Sequence, residues 1–193
     1  MQTICVYCAS STQLKPQFFD ATERLAKIFV EAGLAVVFGG GCSGLMGKLA
    51  DTMMAENGKI TGIIPQFMID EEWHHPNLSE LIVVETMHER KALMAKMADA
   101  VVALPGGCGT LEELLEAITW KQLGILTSPI VILNTDGYYD PMIEMLQRAI
   151  DEKFMRQKHQ NMWMVVQNPE DVIPAILNSE DWGATDARSF AAI

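Results

Sequence analysis

Residues 100–113, which read AVVALPGGCGTLEE, show how this chain is built. The apolar run 100–104 has the length and composition of a buried strand, and the proline and glycines after it predict a loop. From Leu111 onward, apolar side chains recur at helical spacing. A strand, a glycine-rich loop and a helix in this order form one unit of a parallel sheet with crossover helices.

The same alternation continues through most of the chain. Predicted strands cover residues 4–7, 35–38, 60–64, 81–84, 100–104, 130–133 and 162–166. Predicted helices cover residues 16–31, 45–56, 89–98, 111–123, 139–153 and 170–177, and residues 73–79 are predicted to form a loop. We therefore expect an α/β, Rossmann-like, doubly wound and mostly parallel sheet of about seven strands, with helices on both faces. Ligands bind such sheets beyond the carboxyl ends of the strands, which directs attention to the strand-to-helix loops.

Length and composition indicate one domain. The chain has 193 residues, of which 49% are hydrophobic, enough for a single core. We expect one nucleotide-binding catalytic domain over residues 1–178 and a polar C-terminal tail over 179–193. The apolar runs are too short to cross a membrane, and the chain begins without the basic and apolar segments of a secretory signal, so we expect a cytoplasmic protein.

The cysteines and the net charge exclude several classes of ligand. Cys5 and Cys8 form a C-x-x-C pair, but they fall within the first predicted strand and no second pair completes a zinc site, so no metal is expected. The net charge of −11 disfavours binding of a nucleic acid polymer. A small phosphorylated ligand remains compatible with this charge, because a few backbone amides and one arginine can hold it.

Residues 39–44, GGGCSG, form a first glycine-rich loop between a strand and a helix. The spacing matches the dinucleotide fingerprint, yet the next strand ends in Pro65-Gln66 instead of the acidic residue that would hold the ribose of NAD. A P-loop is also disfavoured, because Gly47-Lys48 is followed by Leu49. What remains is a set of amides at a helix start, suited to an anion.

The second glycine-rich loop, around Gly106, Gly107 and Gly109, is the more specific signal. Glycines let the backbone approach a ligand, and the helix start offers unpaired N–H groups and a partial positive charge to a phosphate. Thr110 can add a hydroxyl. Thr110 and Glu113 also match the Thr-x-x-Glu capping box, which needs no ligand. Since a carboxylate beside a phosphate cradle is poorly suited to anion binding alone, we favour a chemical role for Glu113.

Residues 87–91, MHERK, begin a helix after the fourth predicted strand, at the same end of the sheet as both loops. Arg90 can bind phosphate with two parallel hydrogen bonds. The alternative is a solvated helix face with no special role, although basic residues in a first turn oppose the helix dipole.

Together, residues 87–91 and 105–113 resemble the two signature motifs of the Lonely Guy family, often labelled lysine decarboxylase-like. Further segments resemble the same family in order, over roughly residues 2–170: 8–11 (CASS), 39–41 (GGG), 44–47 (GLMG), 64–65 (IP), 119–124 (TWKQLG) and 134–139 (NTDGYY). The resemblance implies a phosphoribohydrolase that releases an adenine-type base and ribose 5-phosphate from a nucleoside 5′-monophosphate, as in cytokinin activation. It also implies a homodimer and no cofactor. The decarboxylase label conflicts with the sequence, because that chemistry normally uses pyridoxal phosphate on a lysine and no lysine stands in a recognisable site for it.

The resemblance also implies roles for individual residues. Arg90 and Glu113 would be the catalytic pair, with Glu113 stabilising an oxocarbenium-like state and orienting or deprotonating water. The residues implied to bind substrate or phosphate are Ser11, Gly40, Gly41, Glu72, Lys91, Gly106, Gly107, Gly109, Thr110 and Thr119. Two alternatives stay open: an AMP nucleosidase acting in nucleotide salvage, and a nucleotide-binding or carrier protein without turnover.

Overall fold

Seven short strands, rich in Val and Ile, form one parallel sheet in the computed structural model, which describes residues 1–183. The strands are β1 (Thr3–Tyr7), β2 (Ala35–Phe38), β3 (Ile60–Pro65), β4 (Glu80–Val84), β5 (Ala100–Ala103), β6 (Ile130–Leu133) and β7 (Met164–Val166). Their order across the sheet is β4-β3-β2-β1-β5-β6-β7, and every neighbouring pair is parallel. The predicted fold class is confirmed.

Helices connect the strands over both faces. They are α1 (Pro16–Glu31), α2 (Gly44–Ala55), α3 (Gln66–Asp70), α4 (Met87–Met97), α5 (Cys108–Gln122), α6 (Asp140–Asp151) and α7 (Val172–Leu177). Short 3-10 turns lie at Thr135–Gly137, Gln157–Met162 and Pro169–Asp171. No helix within residues 1–183 is long and apolar enough to span a membrane.

The two hydrophobic cores follow from the alternation of side chains along each strand. In β1, Ile4 and Val6 face the core under α1, α2 and α7, while Cys5 and Tyr7 face the core under α4, α5 and α6. Because both faces are covered, the central strands are apolar on both sides, as is typical of parallel sheets.

Several predicted boundaries differ from the structure. Helix α5 begins at Cys108, three residues before the predicted start, because Cys108, Gly109 and Thr110, which look like loop in the sequence, form its first turn. Helix α3 was not predicted, and the start of the last predicted strand is a 3-10 turn that ends at Met162. Short elements without a clear apolar period carry little signal in the sequence.

The first residues of the predicted tail pack against the domain. Trp182 is buried, and its indole N–H donates a hydrogen bond of 2.8 Å to the carbonyl oxygen of Lys121 at the end of α5. Residues 184–193 of the predicted tail lie outside the described residues.

Candidate active site

A cavity of about 650 Å³ opens at the carboxyl edge of the sheet, beside β1. Strand β1 pairs with β2 on one side and β5 on the other, so the helices that follow β1 and β5 leave on opposite faces of the sheet. This divergence creates the crevice in which open α/β sheets bind ligands. The lining residues are Cys8, Ala9, Ser10, Gly41, Cys42, Ser43, Met46, Met68, Glu72, Trp73, Met87, Arg90, Gly107, Cys108, Gly109, Thr110, Glu112 and Glu113.

The start of α5 forms one wall of the cavity and offers free backbone donors. Gly107 is the N-cap, and no side chain caps the helix. Within residues 1–183, the N–H groups of Cys108, Gly109 and Thr110 have no hydrogen-bond partner, as expected for the first turn of an uncapped helix. Nothing lies within 4 Å of a Cβ placed on Gly107 or Gly109, so the backbone borders open space at these two residues. The arrangement suits an anion such as phosphate.

Thr110 lies inside the first turn of α5, so it is not the N-cap residue that the alternative interpretation of Glu113 required. Its side chain instead packs on Gly106, where an added Cβ would lie 2.1 Å from the Thr110 hydroxyl oxygen. Gly106 therefore packs against the first turn of α5 and does not itself line the cavity. The capping-box explanation for Glu113 is wrong for this helix.

Several backbone N–H groups in and just after the first glycine-rich loop are used within the chain, so these are not available to an anion. The N–H groups of Leu45 and Met46, at the start of α2, donate to the carbonyl oxygen of Ala9 at 2.9 and 3.2 Å. The N–H of Cys42 donates to the carbonyl oxygen of Trp73 at 3.1 Å. These donors are used within the chain, which attaches the loop to its neighbours.

The two glycines predicted to bind phosphate in this loop are placed differently. Gly41 lines the cavity and forms a β-bridge with His74. Gly40 is buried outside the lining, and its carbonyl oxygen accepts a hydrogen bond of 2.8 Å from the N–H of His75. Gly41 can contact a ligand from this position, whereas Gly40 shapes the loop.

Arg90 is buried and holds two strand ends together. Its Nη2 donates to the carbonyl oxygen of Gly39 at 2.7 Å, and its Nε donates to the carbonyl oxygen of Ile63 at 3.1 Å. Burial lowers the pKa of the guanidinium, an effect that the negative charge of Glu113 opposes. The group nevertheless stays protonated, so it brings a fixed positive charge to the cavity wall. The solvated-face alternative for Arg90 is wrong.

Glu113 lies on α5, one turn beyond the free amides, and its side chain is half-buried. Burial raises the pKa of its carboxyl group to about 7, although the charge of Arg90 lowers it in part. Arg90 and Glu113 act on each other electrostatically but form no ion pair within 4 Å, and within residues 1–183 no hydrogen bond reaches the Glu113 carboxylate. A carboxylate that is neither paired nor fully solvated can take up or release a proton near neutral pH.

Lys91 and Thr119 are not brought to this cavity. The Lys91 ammonium is buried between α4 and α5, where it pairs with Glu112 and, at 3.0 Å, with Glu116. Burial by itself would lower the pKa of Lys91, but these two carboxylates outweigh it and raise the pKa. Thr119 is exposed on α5, with its hydroxyl donating to the carbonyl oxygen of Leu115 at 2.8 Å.

The remaining predicted residues lie at the rim. Glu72 lines the cavity and has a positive φ of 58°, a conformation that costs free energy in a residue with a side chain. Ser11 lies just outside the lining, where its hydroxyl accepts a hydrogen bond from the N–H of Gln13, and its neighbour Ser10 takes the place in the wall. Several further lining residues were not predicted as site residues: Met68 and Trp73 lie outside every quoted motif, whereas Cys8, Ser10, Met46, Met87 and Glu112 lie within motifs but were given no role.

Comparison with known proteins identifies the family of this chain. A family model described as "Possible lysine decarboxylase" matches residues 46–176. The chain is 46% identical over 152 residues to cytokinin riboside 5'-monophosphate phosphoribohydrolase LOG2 of Arabidopsis thaliana, with 79% of this chain and 71% of that protein covered. It is 42% identical over 173 residues to the probable cytokinin riboside 5'-monophosphate phosphoribohydrolase LOG4 of Oryza sativa subsp. japonica, with 90% and 75% covered. The chain belongs to the Lonely Guy family.

Solved structures share the fold of this chain. The molybdenum cofactor binding protein of Rippkaea orientalis superposes with a TM-score of 0.69 at 20% identity, covering 91% of this chain and 95% of that one. The molybdenum cofactor carrier protein of Chlamydomonas reinhardtii gives a TM-score of 0.69 at 19% identity, with 91% and 96% covered. At this level of identity the likeness concerns the fold, whereas the motifs around Arg90 and Glu113 place the chain in the Lonely Guy family.

The contact between Gly39 and Arg90 generates a prediction about stability. A Cβ on Gly39 would lie 1.9 Å from Nη2 of Arg90, so Gly39→Ala must displace the guanidinium. We expect the substitution to lower the free energy of unfolding by about 1–3 kcal/mol, as measured by urea denaturation. In an Arg90→Ala background the same substitution should cost much less, because the colliding side chain is absent. An equal cost in both backgrounds would show that Arg90 is not what requires glycine there.

Proposed function

We propose that this chain hydrolyses the N-glycosidic bond of an adenine-type nucleoside 5′-monophosphate and releases the free base and ribose 5-phosphate. The observation that carries the proposal is the position of Glu113, a half-buried carboxylate one helical turn from a row of free amides. Relatives that are 40–46% identical are named as phosphoribohydrolases of cytokinin riboside 5′-monophosphates. Their names support a substrate that has a phosphate at one end and a base at the other.

The cavity can hold the two ends of such a nucleotide separately. The phosphate fits the free amides of Cys108, Gly109 and Thr110, where the helix dipole favours a negative charge. Side chains of Met46, Met68, Trp73 and Met87 give the cavity an apolar wall against which a base can pack. The anomeric carbon, which lies between base and phosphate in the nucleotide, would then lie near Glu113.

The chemistry follows from the charges around that carbon. Departure of the base leaves an oxocarbenium-like centre, which the Glu113 carboxylate stabilises while it orients or deprotonates the attacking water. Arg90 offsets the negative charge gathered by the phosphate and the carboxylate. Pyridoxal phosphate chemistry does not fit this wall, because no lysine is among the lining residues within 1–183, and Lys91 is held by Glu112 and Glu116.

The reaction is tested by incubating the protein separately with AMP and with N6-isopentenyladenosine monophosphate and resolving the products by chromatography. We expect free base and ribose 5-phosphate, and the ratio of the two rates distinguishes salvage from cytokinin activation. Arg90→Ala and Glu113→Gln should each lower kcat/KM well over tenfold, whereas Glu144→Gln, which alters an exposed carboxylate on α6, should not. Binding of the nucleotides without release of base would favour a carrier.

The raised pKa of Glu113 predicts the pH dependence of both activity and stability. If the ionised form acts, kcat/KM should rise with pH up to about 7 and then level off. Between pH 4.5, the ordinary pKa of a glutamate, and about pH 7, Glu113 keeps its proton in the folded state but has lost it in the unfolded state. The contribution of Glu113 to the free energy of unfolding therefore falls as the pH rises through this range. Glu113→Gln should therefore raise Tm at pH 8 and leave it nearly unchanged at pH 4. An unchanged Tm at pH 8 would contradict the burial argument.

We also propose that the chain forms a homodimer. Leu115 and Thr119 are exposed on one face of α5, and the exposed Leu123 and Ile125 follow just after the helix, Ile125 with 69% of its surface exposed. A second copy packed on this face would cover apolar surface and place Thr119 at the boundary between subunits. Light scattering should give about twice the 21.4 kDa mass of the chain, and Leu123→Asp should shift the mass toward that of one chain. A monomeric wild-type protein would refute the dimer.

A further inference from the structure

Two tyrosine hydroxyls connect the loop between β6 and α6 to the second glycine-rich loop. Tyr138 donates a hydrogen bond to the carbonyl oxygen of Gly106, and Tyr139 donates one of 2.6 Å to the carbonyl oxygen of Leu104. Both acceptors lie in the segment that leads from β5 into the free amides of α5. The β6–α6 loop therefore holds the backbone of the phosphate cradle from outside the cavity.

The hydrogen bond from the Tyr138 hydroxyl to Gly106 orients the N–H group of Gly107. The carbonyl group of Gly106 and the N–H group of Gly107 belong to the same peptide unit, and peptide bonds within residues 1–183 are trans. In a planar trans peptide these two groups point in opposite directions. Gly107 lines the cavity and Tyr138 does not, so holding the carbonyl toward Tyr138 turns the Gly107 N–H toward the cavity.

Neighbouring side chains support one side of the Tyr138 ring, which is 42% exposed. Its ring meets the ring of Tyr139 edge-on at 5.1 Å and the ring of Phe18 at 6.1 Å. Tyr139 is buried, and its N–H donates to Oδ1 of Asn134 at 2.7 Å, while Nδ2 of Asn134 donates to Oδ1 of Asp140 at 2.7 Å. A hydroxyl on such a support holds the carbonyl in one direction before any ligand arrives.

We propose that Tyr138 is a positioning residue for phosphate recognition, which it serves by fixing the Gly106–Gly107 peptide so that its N–H faces the ligand. The inference rests on the proposed function in one respect, that a phosphate occupies the start of α5. It does not depend on turnover, because a preoriented donor acts on any ligand that carries the phosphate. Orientation of this kind reduces the cost of ordering the loop when the ligand binds.

The test measures binding of ribose 5-phosphate by calorimetry in the wild type and in Tyr138→Phe, which removes the hydroxyl and keeps the ring. We expect the Kd to rise roughly fivefold to tenfold, the loss of one oriented donor to a charged group. With a nucleotide substrate, KM should rise by a similar factor and kcat should change less, because the phosphate is bound equally in the ground and transition states.

The matched control is Thr22→Val. It removes another hydroxyl that donates to a backbone carbonyl, that of Phe18 at 2.8 Å, within helix α1 and outside the cavity lining. This variant should lose stability comparable to that lost by Tyr138→Phe while binding ribose 5-phosphate normally.

The outcomes separate this proposal from the proposed function. A Kd unchanged in Tyr138→Phe, or weakened equally in Thr22→Val, overturns the positioning role even if the enzyme is active. Binding that weakens in Tyr138→Phe alone supports the positioning role even if no nucleotide is hydrolysed, a result that would refute only the hydrolase. If the wild type binds no ribose 5-phosphate, the phosphate cradle and the role of Tyr138 both fall.

Discussion

Parallel pairing of β1 with both β2 and β5 is the constraint on which the rest of this structure depends. A parallel strand cannot be reached by a tight turn, so each connection must cross a face of the sheet, usually as a helix. All carboxyl ends then lie along one edge. Because α1 and α5 leave that edge toward opposite faces, a crevice opens between their loops. The residues in the cavity come from five separate parts of the chain, and only this pairing brings them together.

Within the crevice, the chain treats its two glycine-rich loops differently. At the first, three N–H groups donate to the carbonyl oxygens of Ala9 and Trp73, and the Arg90 guanidinium lies directly against the backbone of Gly39. The second leaves its amides free and is held from behind by two tyrosine hydroxyls. One loop therefore serves as the frame for a fixed positive charge, and the other remains available to a ligand.

Arg90 and Glu113 show what it costs in stability to place charged groups in such a site. Both charged groups are removed from much of the solvent, and the burial shifts each pKa toward the neutral form. Arg90 recovers part of this cost through hydrogen bonds to the carbonyl oxygens of Gly39 and Ile63. Glu113 has no such bond within the described residues, which leaves its proton exchangeable. A fold selected for stability alone would pair or solvate that carboxylate.

The fold class and the family could be predicted from the amino-acid sequence alone. Alternating apolar runs and helical spacing are local properties, so they predicted all seven strands and the parallel sheet, and the motifs around Arg90 and Glu113 indicated the family.

Hydrogen bonding and burial depend on distant parts of the chain, and predictions of these from the sequence were in part wrong. Thr110 matched a capping box yet lies inside the helix, and two N–H groups at the start of α2 donate to Ala9, which is far away in sequence. Lys91 adjoins Arg90 in the chain, but helical geometry turns it away from the cavity toward Glu112 and Glu116. Local patterns specify which elements form, whereas the partner of each polar group is decided only when those elements pack, because a hydrogen bond requires atoms within about 3 Å of each other.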